Sequence, residues 1–187
     1  MGKILVAGSI NMDVVVRTKQ YPQAGETVFG HDLHYIPGGK GSNQAVAASR
    51  AGDNVYLLAK LGKDAFGQSL TQFLQEESLH LDYLCYSDTH PSGVALITIN
   101  ESSENMIVVA SGSNFELNEE EATQIPLEAD DIVASVFEIP QTIIKHLFSR
   151  AKQIGATTIL NPAPATTFID ALLPLVDFLI INETELA

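Results

Sequence analysis

The chain has 187 residues, 45% of them hydrophobic, which suits one sizeable α/β domain and leaves no segment disordered by composition. Asp and Glu total 23 against 10 for Lys and Arg, and the resulting net charge of −13 opposes binding to nucleic acid or to anionic membrane. The single cysteine, Cys85, excludes an internal disulfide. No stretch approaches the roughly 18 apolar residues of a membrane span, so a soluble, cytoplasmic protein is expected.

In chain order, Ile4 to Ile10 reads as a buried first strand, and Asn11 and Asp13 interrupt its apolar run too soon for a signal peptide. Val14 to Val16 and Thr27 to Ile36 have strand character. Three glycines within Gly38-Gly39-Lys40-Gly41 predict a sharp turn that brings the backbone close to a ligand. Ser42 or Asn43 is expected to cap a helix from Asn43 to Ala51, stopped by Gly52. Asn54 to Leu61 reads as a strand, and Gly67 to Glu77 as a helix with Leu70, Phe73 and Leu74 on one face. Cys85 falls in a strand-like segment as a buried, inert thiol.

Gly93 to Ile99 and Met106 to Val109 flank a polar turn and predict a hairpin. A helix follows from about Asn118, with Asn118 and Glu121 spaced as a capping box. Ile132 to Val136 reads as a strand. Pro140 to Ile154 reads as a helix whose buried stripe is Ile143, Leu147, Ala151 and Ile154. A strand at Thr157 to Leu160, a short helix near Phe168 to Leu173 and a last strand at Phe178 to Ile181 complete the pattern. Alternating strands and helices imply an α/β fold with a mainly parallel sheet flanked by helices. The hairpin and the early β segments break that alternation and predict a small second sheet, placed as a flap over one edge.

General nucleotide motifs fail. Lys40 precedes Gly41 and Lys63 precedes Asp64, so neither forms a Walker A sequence, and Gly8 stands without the rest of a dinucleotide fingerprint. His31 and His34 lie three apart in a β-like stretch and face opposite ways, which suits surface residues and not a metal pair. More suggestive is Gly8-Ser9-Ile10-Asn11-Met12-Asp13, at the carboxyl end of the first strand, where open α/β sheets bind ligands. Asn11 and Asp13 are two apart, so in an extended segment both point the same way. A carboxylate accepting two O–H groups beside an amide suits a vicinal diol. A turn closed by Asx hydrogen bonds is the competing reading of that motif.

Together with Pro22-Gln23-Ala24-Gly25-Glu26-Thr27 and Gly38-Gly39-Lys40-Gly41-Ser42-Asn43-Gln44-Ala45, this motif closely resembles the ribokinase-like carbohydrate kinases. The resemblance continues through Gly62-Lys63-Asp64-Ala65-Phe66-Gly67, Gly112-Ser113-Asn114, Asn161-Pro162-Ala163-Pro164 and Asn182-Glu183-Thr184-Glu185. It implies a Rossmann-like core with a β-sheet lid formed by residues of about 12–37 and 93–110, and a possible homodimer through that lid. It implies ATP-dependent phosphorylation of a sugar, with D-ribose giving ribose 5-phosphate, Mg²⁺ accompanying ATP, and a monovalent cation in the complete enzyme. By matching position, Asn11, Asp13, Gly39, Lys40, Asn43 and Glu138 are the expected sugar-binding residues. Asn182 is the expected nucleotide-binding residue, and Glu185 the residue reaching Mg²⁺ through water. A solvated carboxylate at a helix start is the competing reading of Glu138. Deoxyribose, another pentose or a nucleoside are alternative substrates.

In that family the catalytic base is an aspartate of a Gly-Ala-Gly-Asp-like segment, whose amides also form an anion hole. The only Gly-Asp pair here, Gly52-Asp53, merely closes a helix. The sequence therefore reads as the N-terminal portion of such a kinase, one incomplete domain over 1–187, expected to be inactive alone. A sugar-binding or lid-pairing fragment without catalysis is the alternative.

Overall fold

The computed structural model of the chain describes residues 2–165, 167 and 171–183. In chain order it contains β1 (Ile4–Ala7), β2 (Asn11–Thr18), β3 (Gly30–Gly38), α1 (Lys40–Arg50), β4 (Val55–Gly62), α2 (Ala65–Glu76) and β5 (Leu84–Ser87). The hairpin strands β6 (Gly93–Ile99) and β7 (Asn105–Ala110) lead through a 3₁₀ turn at Gly112–Glu116 to α3 (Glu119–Thr123). Then come β8 (Ile132–Val136), α4 (Gln141–Ile154), β9 (Thr157–Asn161), a 3₁₀ turn at Leu173–Leu175 and β10 (Phe178–Leu179).

Six strands form the main sheet in the order β10-β9-β8-β1-β4-β5, and every pair is parallel. Successive residues of β1 go to opposite faces. Leu5 and Ala7 pack with Ile144, Leu147 and Phe148 of α4 on one side. Val6 packs with Ala45 and Val46 of α1 and Leu70 and Leu74 of α2 on the other. Full burial of a Leu or Phe here contributes about 1.5–3 kcal/mol, so these two layers hold the strand ends in register. Ile143, Leu147 and Ala151 are buried as the periodicity predicts, but Ile154 is exposed, because the helix ends there and Gly155 turns away at φ 85°.

The second sheet has the order β3-β2-β6-β7, with β2 and β6 parallel and both outer pairs antiparallel. It joins the body through the short turn between β1 and β2 and through Gly39 between β3 and α1. The register places Asn11, Asp13 and Val15 on one face with Ala95, Ile97, Ile107 and Val109. The opposite face carries Val14, Leu33, Tyr35, Leu96, Met106 and Val108.

Several boundaries differ from the sequence expectation. The first strand ends at Ala7 and not Ile10, because Gly8 to Ile10 turn the chain into the second sheet. Helix α1 begins at Lys40, with Gly39 as its N-cap at φ 97° and no side-chain cap. Ser42 instead turns its hydroxyl back to the carbonyls of Gly38 (2.5 Å) and Gly39 (3.1 Å). The capping box of Asn118 and Glu121 forms as expected. The expected short helix near Phe168 lies partly outside the described residues, and its neighbourhood contains the 3₁₀ turn at Leu173–Leu175. Among the described residues, no helix is long and apolar enough to cross a membrane.

Candidate active site

The β1–β2 turn and the N-terminus of α1 meet at the carboxyl edge of the main sheet. Glycines are required there by the chain itself: a Cβ on Gly41 would lie 2.5 Å from the Gly8 backbone. The close approach read from the sequence is thus an approach of two backbone segments. It holds Asn11 and Asp13 of β2 beside Lys40 and Asn43 of α1.

A helix N-terminus normally offers free amides to an anion. In α1 these amides are already engaged. The Lys40 N–H donates to Glu138 Oε2 (3.1 Å), the Gly41 N–H to Ser9 Oγ (3.3 Å) and the Ser42 N–H to the Ser9 carbonyl (2.8 Å). Glu138, in the turn after β8, also accepts from the Ser9 hydroxyl and pairs with Lys40 Nζ at 3.3 Å. Its side chain is only 12% exposed, so it is a built-in anion at the α1 dipole and not a solvated helix-start carboxylate. The amides of the first turn are therefore not free to receive a phosphate.

Asn11, Asp13, Gly39, Lys40, Asn43 and Glu138 line one cavity of ≈ 140 Å³. All six expected sugar-site residues are thus brought together. Ala95, Ile97, Ile107 and Val109 of the second sheet complete its wall with an apolar face. The volume is below the ~300–1,000 Å³ of sites for drug-sized ligands and suits a small polar molecule. Burial, and next the nearby Glu138 carboxylate, push the Asp13 carboxyl above its ordinary value, while Lys40 opposes them.

Lys40 and Asn43 also face a second, more open cavity of ≈ 470 Å³, shared with Gln44, Asn161, Ala163, Ile180, Ile181 and Asn182. Asn182 therefore lines a cavity that shares Lys40 and Asn43 with the one lined by Asp13. Asn161 donates to the Ile180 carbonyl at 2.9 Å and ties β9 to this wall. Glu185 lies outside the described residues. A family model described as pfkB family carbohydrate kinase matches residues 1–187. The chain belongs to the pfkB family of carbohydrate kinases.

Among pfkB relatives, ribokinase from Haemophilus influenzae is 35% identical over 184 residues, covering 97% of this chain and 60% of that protein. Ribokinase from Lactococcus lactis is 36% identical over 190 residues, covering 99% of this chain and 62% of its own length. The chain thus spans less than two thirds of these curated relatives. The structure of Arabidopsis thaliana ribokinase complexed with ribose and ATP superposes with a TM-score of 0.89 at 29% identity, over 100% of this chain and 62% of that one. A nucleoside kinase from Methanocaldococcus jannaschii has a TM-score of 0.84 at 18% identity, which shows the shared fold alone.

Three residues not singled out by the sequence brace or line these cavities: Ser9, Asn114 and Asn161. Each lies inside a motif of the family resemblance. Nothing local revealed that Asn114 would reach back to Asn11, 103 positions earlier in the chain.

Proposed function

We propose that these residues form the sugar-binding part of an ATP-dependent sugar kinase whose acceptor is D-ribose. The observation that carries this reading is the small cavity where Asp13, Asn11, Asn43 and Lys40 converge beneath an apolar sheet face. Asp13 accepts from two adjacent hydroxyls, and the amides of Asn11 and Asn43 fill the remaining donor and acceptor positions. Glu138 contributes through Oε1, which among the described residues meets Lys40 Nζ alone. The second sheet acts as a lid that excludes water when the sugar is bound.

The adjoining cavity suits the polyphosphate of ATP. Lys40, Asn43, Gln44 and Asn182 offer donors to phosphate oxygens. Among the described residues no three His, Cys, Asp or Glu side chains gather as a metal site. A Mg²⁺ ion would arrive with the nucleotide and keep most of its waters. When bound, Mg²⁺–ATP supplies the transferable phosphoryl group and neutralises part of its charge. This chain's part is to hold the sugar's primary hydroxyl toward the Lys40–Asn43 side.

Proton removal from that hydroxyl needs a general base, worth ~10²–10⁴-fold, and the phosphoryl group needs an anion hole, worth ~10²–10³-fold per donor. The 187 residues contain no Gly-Ala-Gly-Asp segment to provide either. We therefore expect the chain to bind ribose without phosphorylating it. Isothermal titration with ribose, deoxyribose and adenosine, beside a coupled ADP-release assay, tests the reading. Ribose binding without ADP release supports it. ATP-dependent turnover, or a nucleoside bound more tightly than ribose, overturns the corresponding half.

A further inference from the structure

We propose that Asn114 is a positioning residue that fixes the side-chain amide of Asn11, making Asn11 a hydrogen-bond donor to the sugar. This rests on the sugar-site reading above and adds the direction of one of its hydrogen bonds. Asn114 is 1% exposed and Asn11 3% exposed, so both amides must find their partners inside the protein or in the cavity.

The orientation of Asn114 is decided by backbone groups whose roles are fixed. Its Oδ1 accepts from the Ile10 N–H at 2.9 Å. Its Nδ2 faces the carbonyls of Ser111 at 2.9 Å and Ile10 at 3.3 Å. Reversing this amide would set Oδ1 against two carbonyls and Nδ2 against an N–H, so this orientation alone is compatible. Its two Nδ2 protons serve the two shortest contacts, to the Ser111 carbonyl and the Asn11 side chain, with the Ile10 carbonyl sharing one of them at 3.3 Å. The same Nδ2 lies 2.8 Å from the Asn11 side chain. The Asn11 atom turned toward it is therefore the acceptor, Oδ1. Its Nδ2 is left for the cavity, where no described protein group accepts from it.

Packing holds the pair closed. Gly93, opposite Asn11 on β6, leaves the space in which the two amides meet: a Cβ there would come within 2.1 Å of Asn11 Oδ1 and 2.3 Å of Asn114 Nδ2. The chemical outcome is directional. Asp13 can only accept, and Asn11 presents only donors, so neighbouring hydroxyls are read in one sense: one donates to Asp13 while another accepts from Asn11.

Two measurements test this. In the native chain without ligand, NMR should find the Asn114 side-chain amide protons protected from solvent exchange and those of Asn11 exchanging. Ribose should shift and protect the Asn11 protons only. Protected Asn11 side-chain protons in the ligand-free chain would overturn the assignment, and this needs no variant. The second measurement is a cycle of Asn114→Asp and Asn11→Ala, read as ribose affinity. Asn114→Asp replaces the donor with an acceptor and turns the Asn11 amide around, so affinity should fall about 10-fold in the native background. It should change little further when Asn11 is alanine. Equal losses in both backgrounds, or no loss in either, would refute positioning through Asn11. Failure of the native chain to bind any sugar would instead remove the sugar reading, while the ligand-free exchange experiment still judges the amide orientation.

Discussion

Replacing Asp13 by asparagine should weaken sugar binding and strengthen the fold, two effects of opposite sign from one carboxylate. Asp13 lies half-buried on β2, with Gly38 beneath its carboxylate and Glu138 across the same cavity. Burial and the like charge of Glu138 hold its carboxyl above the ordinary value of 3.8. An acid raised in the folded state binds more protons when folded than when unfolded. Stability therefore falls as pH rises from 3.8 through the folded value, and the penalty remains above it. Asp13→Asn removes that penalty at neutral pH and has no such effect at a pH where both forms are protonated. Sugar binding moves the other way. Two hydrogen bonds to a charged acceptor are each worth about 1.5–3 kcal/mol, so losing the charge on both should lower ribose affinity by on the order of 10²-fold or more. Isothermal titration reads the affinity, and thermal melts at neutral and acid pH read the stability. The native chain should also lose ribose as pH falls through the raised Asp13 value, with Glu138→Gln moving that acid limb downward by the smaller, charge-derived part of the shift. Unchanged affinity in Asp13→Asn would refute the hydroxyl assignment. A variant less stable than the native chain at pH 7 would refute the electrostatic account.

Three further expectations concern the surroundings of the site. Asp64 caps α2 through the Gly67 N–H at 2.7 Å and accepts from both the N–H and hydroxyl of Ser92 at the start of β6. Asp64→Ala should cost about 2 kcal/mol and lower the melting temperature by roughly 4–8 °C, with hydrogen exchange rising at β6 as well as α2. A loss confined to α2 would show that the capping bond acts alone. The Cys85 thiol, half-buried and not fully buried as the sequence suggests, is pushed up to about 11 by burial and then by the Glu121 carboxylate. Only about one thiol in a thousand is ionised at pH 8, so a disulfide reagent should label it far more slowly than free cysteine. On the face turned away from the cavity the second sheet exposes Leu33, Leu96, Met106 and Val108, an apolar surface that we propose pairs with the same sheet of a second copy. Sedimentation equilibrium should find a dimer that Val108→Asp, on the outer face of β7, dissociates. A native monomer at micromolar concentration would discard the pairing.

The sequence by itself determined most element types and singled out the residues that come to line the cavity. Apolar periodicity marked α4, the polar turn at Asn100 to Asn105 marked the hairpin, and the motif order placed Asn11, Asp13, Lys40 and Asn43 together. These are local signals, written in residues a few positions apart. Tertiary structure alone decided how the groups are used. The glycine turn looked like a ligand cradle, but its glycines are required by the Gly8 backbone packed against Gly41. The start of α1 moved back to Lys40 because the amides of its first turn are satisfied by Glu138 and Ser9, about 98 and 32 positions away in the chain, so no local cap was needed. The direction of the Asn11 amide depends on Asn114, which reaches it only once the 3₁₀ turn after β7 has folded under β2. Hydrogen-bond complementarity across such separations is a property of the assembled fold, and no window of the sequence contains it.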